Sequence, residues 1–206
     1  MDGPSMGRSV PMKRYWIDFI RDSCTLPAYF LTVTTRYLLP EHEARGYLNF
    51  LLHTLNRRFF GKGYRRKDKF IGGFAFEERQ ADGKLHYHLI ILDSEQFHIR
   101  DKPSLKKHLY KQITKVRKLN RSTGRYTYRI FYRIGVDLQE ITSEEEMKKT
   151  AFYSMKKKSG DAIGLLGKEG VLWDMYQTST DHLFRSHTDE PRTAVRKRIR
   201  KSLNKI

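Results

Sequence analysis

The stretch "FIGGFAFEERQADGKLHYHLIIL", residues 70–92, decides how this chain is read. It holds two strand-like runs, 70–79 and 85–92, rich in aromatic and β-branched residues. Between them "QADGK" carries Asp82-Gly83, a hairpin signal, because glycine accepts the positive φ that such turns demand. Gly72 and Gly73 weaken the first run and mark a bulge or a place where another backbone comes close. Successive strand residues alternate faces, so His86 and His88 point the same way. The turn then decides which acid faces them. A three-residue loop Ala81-Asp82-Gly83, with Gly83 left-handed, pairs Gln80 with Lys84 and sets Glu78 opposite His86. A two-residue turn at Asp82-Gly83 aligns Glu77 with His88 instead. Either way one carboxylate joins two imidazoles, a set that suits a divalent ion with positions open to substrate. Glu78 is the first choice and Glu77 the reserve. The competing reading is a solvated hairpin, and in a chain with eight histidines a lone His-x-His weighs little.

Outward from the hairpin, "AYFLTVTT" (28–35) is a β-branched and aromatic run. Pro40 then opens a helix in which Ala44, Tyr47, Leu48, Leu51, Leu52, Leu55 and Phe59 keep helical spacing. Gly61 and Gly63 can end it. Beyond the hairpin, 103–119 places Leu105, Leu109, Ile113 and Val116 on one helical face. Residues 122–141 predict one or two strands. Ser143 and Glu146 form a capping-box pattern at the start of a helix running to about Lys158. Residues 1–27 are mixed, with one short helix around Tyr15 to Ile20, and 192–206 predicts a short basic amphipathic helix. The order βαββαβα predicts an α+β, ferredoxin/RRM-like antiparallel central sheet with helices on one face. The division expected is an N-terminal extension over 1–27, a main domain over 28–161 and a basic extension over 162–206.

Composition narrows the function. The chain has 41 Lys and Arg against 23 Asp and Glu, a formal net charge of +18 over 206 residues. That excess favours a polyanionic partner, most simply nucleic acid. A single cysteine, Cys24, excludes an internal disulfide and any zinc site built on several thiolates. No apolar run reaches membrane-spanning length and no signal-peptide core is evident, so a soluble intracellular protein is expected.

A second constellation lies in "TAFYSMKKKSGD" (150–161). Met147, Ala151 and Met155 share one helical face, and Tyr153 lies off it. Lys149, Lys156 and Lys157 stand at −4, +3 and +4 from Tyr153 and so surround it. Ammonium groups beside a phenol favour its anion and attract phosphate. A tyrosine so placed can attack a phosphodiester, leaving a 5′-phosphotyrosyl link and a free 3′-hydroxyl. The link conserves the energy of the broken bond, so the strand can be rejoined without ATP. The plainer alternative is a partly buried tyrosine on a solvated lysine-rich helix.

With both constellations in view, the chain resembles the HUH endonucleases, and among them the rolling-circle replication initiator (Rep) proteins. "FLTVTT" (30–35) looks like the family's first motif, "HYH" (86–88) its second, and "YSMKKKSGD" (153–161) its third, in the family's order. The resemblance implies His86, His88 and Glu78 as ligands of Mg²⁺ or Mn²⁺, Tyr153 as nucleophile and Lys156 as the assisting lysine. It implies that Phe30, Leu31 and Thr32 recognise DNA, with Lys149 and Lys157 holding phosphates. It implies nicking and joining of single-stranded DNA at an origin hairpin, beside a host helicase and polymerase. The compartment implied is the bacterial cytoplasm, or the nucleus for a eukaryotic virus. Two departures stand out: Tyr87 is aromatic where an aliphatic residue is commoner, and "GLLGKEG" (164–170) lacks the spacing of a phosphate loop. No helicase half of the viral kind is therefore expected.

The basic loop 65–69 and the tail 192–206 could hold backbone phosphates. Tyr126, Tyr128 and Tyr132 could stack on bases or pack in the core. Two rivals remain. One is a transposase or relaxase with the same chemistry. The other is a non-catalytic nucleic-acid-binding module, which would use a sheet aromatic surface and have no need of His86, His88 or Tyr153.

Overall fold

The computed structural model describes residues 9–24, 26–67, 69–92, 102–120, 122–132, 136–155 and 162–173. In chain order they form α1 (Ser9–Ser23), β1 (Ala28–Thr34), α2 (Glu41–Phe60), β2 (Gly73–Arg79), β3 (Leu85–Ile91), α3 (Lys102–Ile113), β4 (Arg117–Asn120), β5 (Arg125–Arg129), β6 (Asp137–Ile141), α4 (Glu144–Ser154), β7 (Ile163–Gly167) and β8 (Gly170–Leu172). The fold is α+β. Six strands make one antiparallel sheet in the order β6-β1-β3-β2-β7-β8, and β4 and β5 pair separately.

β1 is buried along its whole length because strands flank it on both sides and helices cover both faces. The alternation of the strands sorts the core in two. Leu31, Val33, Tyr87 and Leu89 pack with Leu48, Leu51 and Leu55 of α2 and with Leu105 and Leu109 of α3. Phe30, Phe74, Phe76 and Ile90 point the other way, against Trp16 and Ile20 of α1 and Met147 and Ala151 of α4. The expectation of helices on one face is thus corrected. Two apolar faces on one sheet each need a cover, and a pair of helices supplies each.

The hairpin forms with the three-residue loop. Gln80 N–H donates to Lys84 O at 2.9 Å, Gly83 has φ of 79°, and Glu78 pairs with His86. The doublet Gly72-Gly73 marks a close approach. Gly73 has φ of 141°, and a Cβ there would sit 1.9 Å from the carbonyl oxygen of Ile90.

Several boundaries move. Within the expected extension 1–27, α1 belongs to the main body, because Trp16 and Ile20 are completely buried in the core they share with Met147 and Ala151 of α4. Nor does the main body stop at 161: β7 pairs with β2, and "GLLGKEG" is the β7–β8 hairpin. The helix over 103–119 ends at Ile113, and its last residues are β4. The strands over 122–141 fall in two different sheets, β5 and β6. α4 starts at its expected cap, where Ser143 Oγ accepts from Glu146 N–H at 3.2 Å, but it closes at Ser154. Lys158, the expected helix end, lies outside the described residues, as does the basic helix expected over 192–206. No described helix is long and apolar enough to cross a membrane.

Candidate active site

Antiparallel pairing lines up side chains in rows across the face under α1 and α4. Thr34 of β1 pairs with His86 of β3, which pairs with Glu78 of β2. One step along, Thr32 pairs with His88, which pairs with Phe76. A third row holds Phe30, Ile90 and Phe74. The site is therefore polar over the first row, mixed over the second, where Phe76 joins the core under α1 and α4, and apolar over the third.

Both histidines are held from the β1 side. Thr34 Oγ1 lies 2.6 Å from His86 Nδ1, and Thr32 Oγ1 lies 3.1 Å from His88 Nδ1. Gln80 Nε2 adds a contact of 3.1 Å to His86 Nδ1. The two rings meet edge to face with centroids 4.5 Å apart, and Phe30 stacks on His88 at 5.1 Å. The threonine hydroxyls can accept an Nδ1–H and so fix ring orientation, the role that outer-shell partners play at ligating histidines, whereas the Gln80 amide can only donate to His86 Nδ1.

His88 is 2% exposed, and its Nε2 is buried without a hydrogen-bond partner among the described residues. Glu78 Oε2 stands 3.6 Å from that nitrogen. Burial, and after it the neighbouring His86, push the His88 pKa down to about 4, against the opposing pull of Glu78. The imidazole is thus neutral at pH 7, and the 3.6 Å approach is not an ion pair there. In the tautomer whose Nδ1–H donates to Thr32, the Nε2 lone pair stands 3.6 Å from a carboxylate oxygen. Ligands in adjacent positions on a small divalent ion, each about 2.1 Å from it, stand about 3 Å apart. The donor types and this separation fit such an ion. Among the described residues, no three His, Cys, Asp or Glu side chains form a ready-made cage.

Glu77 belongs to the other face. It pairs with Tyr87, is 4% exposed, and takes a two-pronged ion pair from Arg45 of α2, at 2.7 and 3.0 Å. Register therefore excludes it from the histidine row. Burial, reinforced by the Glu77 charge, pushes the Tyr87 hydroxyl pKa well up.

Tyr153 arrives from the far end of the chain. It lies in the last turn of α4, and its ring meets the edge of His88 at 5.5 Å and of Phe30 at 6.4 Å. The ring is 50% exposed, so it is accessible to a large substrate. Lys149 lies one helical turn before it and approaches Glu145 at 3.6 Å on the exposed surface. Lys156 and Lys157 lie outside the described residues.

The first-motif residues separate by face. Phe30 and Thr32 line the site. Leu31 is fully buried in the α2 core and cannot reach DNA, because neighbouring strand residues point to opposite sides. Thr34 and Gln80 were missed by sequence reasoning. The signal was present, since Thr34 continues the Phe30-Thr32 alternation and Gln80 stands two residues beyond Glu78. In the loop 65–69, Arg65 pairs with Glu169 of the β7–β8 turn at 3.1 Å. Tyr128 packs on Tyr37 with centroids 4.3 Å apart and takes the core alternative; of the Tyr126 side chain nothing is described.

No family model, no curated protein and no solved structure matches the chain. What the site can do is carried by its own geometry: a phenol, two oriented imidazoles and a carboxylate converge on an accessible face of a strongly basic protein.

Proposed function

We propose that this protein is a metal-dependent nicking and joining enzyme for single-stranded DNA, with Tyr153 as nucleophile and a 5′-phosphotyrosyl intermediate. The observation that carries the reading is the contact of the Tyr153 ring with His88 at 5.5 Å. Two motifs far apart in sequence meet on one sheet face, as a shared reaction requires. The order β6-β1-β3-β2 of four consecutive strands, with β7 and β8 added beyond β2, supports a ferredoxin-like core within the larger sheet. It also supports the likeness to HUH endonucleases of the rolling-circle initiator class.

In this reading Tyr153 Oη attacks the phosphorus and loses its proton. The new bond joins Tyr153 oxygen to phosphorus, and the bond to the 3′-oxygen breaks. That oxygen takes up a proton and leaves as a free 3′-hydroxyl, able to prime replication. Rejoining is the reverse, with the 3′-hydroxyl displacing Tyr153. His86, His88 and Glu78 would hold a divalent cation, Mg²⁺ or Mn²⁺. When bound, it supplies polarisation of the scissile phosphate. Thr32 and Thr34 keep the imidazoles turned toward it, Phe30 walls the site, and Lys149, Lys156 and Lys157 attract the strand. The substrate proposed is an origin hairpin, with host helicase and polymerase acting after the nick, in the bacterial cytoplasm or in a nucleus. A transposase or relaxase would use the same steps. The non-catalytic module is disfavoured because it gives no reason for Tyr153 to stand beside His88.

The test is a denaturation-resistant adduct between the protein and a labelled pool of single-stranded, hairpin-forming oligonucleotides with Mn²⁺ or Mg²⁺. The adduct is expected for the unmodified protein and lost with a chelator or in Tyr153→Phe. An adduct that persists in Tyr153→Phe removes the nucleophile assignment. Failure to form any metal-dependent adduct removes the enzyme.

A further inference from the structure

We propose that Tyr132, flanked by Arg36 and Lys84, is the stacking platform for the nucleotide next to the scissile phosphate. The proposal rests on the nicking reading and extends it to a substrate contact outside the three motifs.

The geometry points to Tyr132 through strand pairing. Thr35 of the chain after β1 bridges Phe131 in antiparallel fashion, and Tyr132 N–H donates to Thr34 O at 3.0 Å. Tyr132 therefore stands opposite Thr34, on the histidine side of the sheet. Phe131, its neighbour, points the other way and is buried in the α2 core. The row that contains the site thus runs Tyr132, Thr34, His86, Glu78 across four strand segments. The row holding Thr32 and His88 lies two residues farther along β1, about 7 Å away. A strand whose phosphate rests by His86 and His88 brings its adjoining nucleotide within reach of Tyr132.

The chemistry at that position suits a nucleotide. Tyr132 keeps 37% of its surface in solvent. The Arg36 guanidinium lies 5.7 Å from its ring centre and the Lys84 ammonium 5.6 Å. Arg36 has no carboxylate partner among the described residues, whereas Lys84 is bound to Asp82 at 2.6 Å. One exposed aromatic ring with an unpaired cation beside it matches how single strands are held, with bases on aromatic faces and phosphates on cations. Core packing accounts for Tyr128 but not for a half-open tyrosine in line with the site.

The test compares binding of a fluorescent mixed-sequence oligonucleotide of about 20 residues with that of an abasic strand of equal length. The full chain should prefer the base-containing strand by on the order of tenfold. Tyr132→Leu should lose that preference and leave abasic binding within about twofold, while Tyr132→Phe retains it. Arg36→Gln should weaken both strands and lower the salt slope by about one. Unchanged base preference in Tyr132→Leu would overturn the platform, even if the Tyr153 adduct still forms. Tyr132-dependent base preference with no adduct on any strand would overturn the nicking reading and leave Tyr132 as a single-strand binding residue.

Discussion

The two faces of β3 differ by one residue of register and by almost everything else. On the α2 side, Tyr87 sits beside Glu77, whose charge is answered by a two-pronged contact from Arg45, with the Arg45 guanidinium 4.8 Å from the Trp173 ring centre. On the α4 side, His88 Nε2 is equally buried and has no hydrogen-bond partner among the described residues, with an acid 3.6 Å away. Leaving a buried polar atom unpaired costs about 1–3 kcal/mol. The contrast is one of charged groups rather than of all polar atoms, since the Tyr87 hydroxyl and Trp173 Nε1 on the α2 side are also buried without a partner among the described residues. The buried acid of the α2 side is met by a guanidinium, whereas the buried imidazole of the α4 side has only an acid 3.6 Å away.

The sharpest way to break that contrast is to remove His88. His88→Ala should lower metal-dependent cleavage by roughly 10³-fold, the scale of several kcal/mol that a metal supplies. Salt-sensitive DNA binding should survive, measured by anisotropy at two ionic strengths. Loss of both together would mean that His88 is merely structural. Arg45→Ala should show the reverse. Stranding Glu77 in the core should cost about 3 kcal/mol or more in denaturant unfolding, with the metal response of the folded fraction intact. A metal response lost with Arg45 would erase the distinction between the faces.

Acid probes the same contrast without mutation. The folded-state pKa of His88 is lowered from 6.5 to about 4. Between those values the unfolded chain binds the proton and the folded chain does not. The stability His88 contributes is therefore complete above pH 6.5 and is lost as pH falls toward 4. The slope approaches about 1.4 kcal/mol per pH unit within that window. Unfolding midpoints of the parent protein and His88→Gln, compared from pH 7 to 4.5, should converge on acidification. Parallel curves would show that the burial of His88 has no such energetic consequence.

How much of this was legible in the sequence differs by region for a physical reason. The hairpin was legible because Gly83 fixes a local turn, and the turn fixes the partner of His86. The start of α4 was legible because Ser143 and Glu146 cap it locally. Tyr153 was legible through its lysines, but its distance to His88 was not, since only packing of α4 under α1 sets it. α1 was legible only in part: a short helix was expected around Tyr15 to Ile20, but its full length and the burial of Trp16 and Ile20 were not, since two core residues in a mixed segment leave little periodicity. β7 was hidden too, because its partner β2 lies far upstream and no local periodicity records that pairing. Leu31 was misjudged because a motif treats neighbours as a unit, whereas a strand sends them to opposite faces.

The smallest expected effect tests whether β1 tunes the site or only supports it. Thr34 Oγ1 lies 2.6 Å from His86 Nδ1, and valine has nearly the same shape without the hydroxyl. Thr34→Val should therefore keep the packing of β1 while freeing the imidazole to turn and to change tautomer. Loss of an outer-shell partner typically weakens a metal site 10- to 100-fold. An effect of at least about tenfold is expected in the Mn²⁺ concentration needed for half-maximal adduct, because the Gln80 amide can only donate to the same nitrogen and does not replace the hydroxyl as acceptor. If saturating Mn²⁺ restores the full rate in Thr34→Val, the hydroxyl orients a ligand; if the rate stays low at every metal concentration, Thr34 acts on the substrate strand instead.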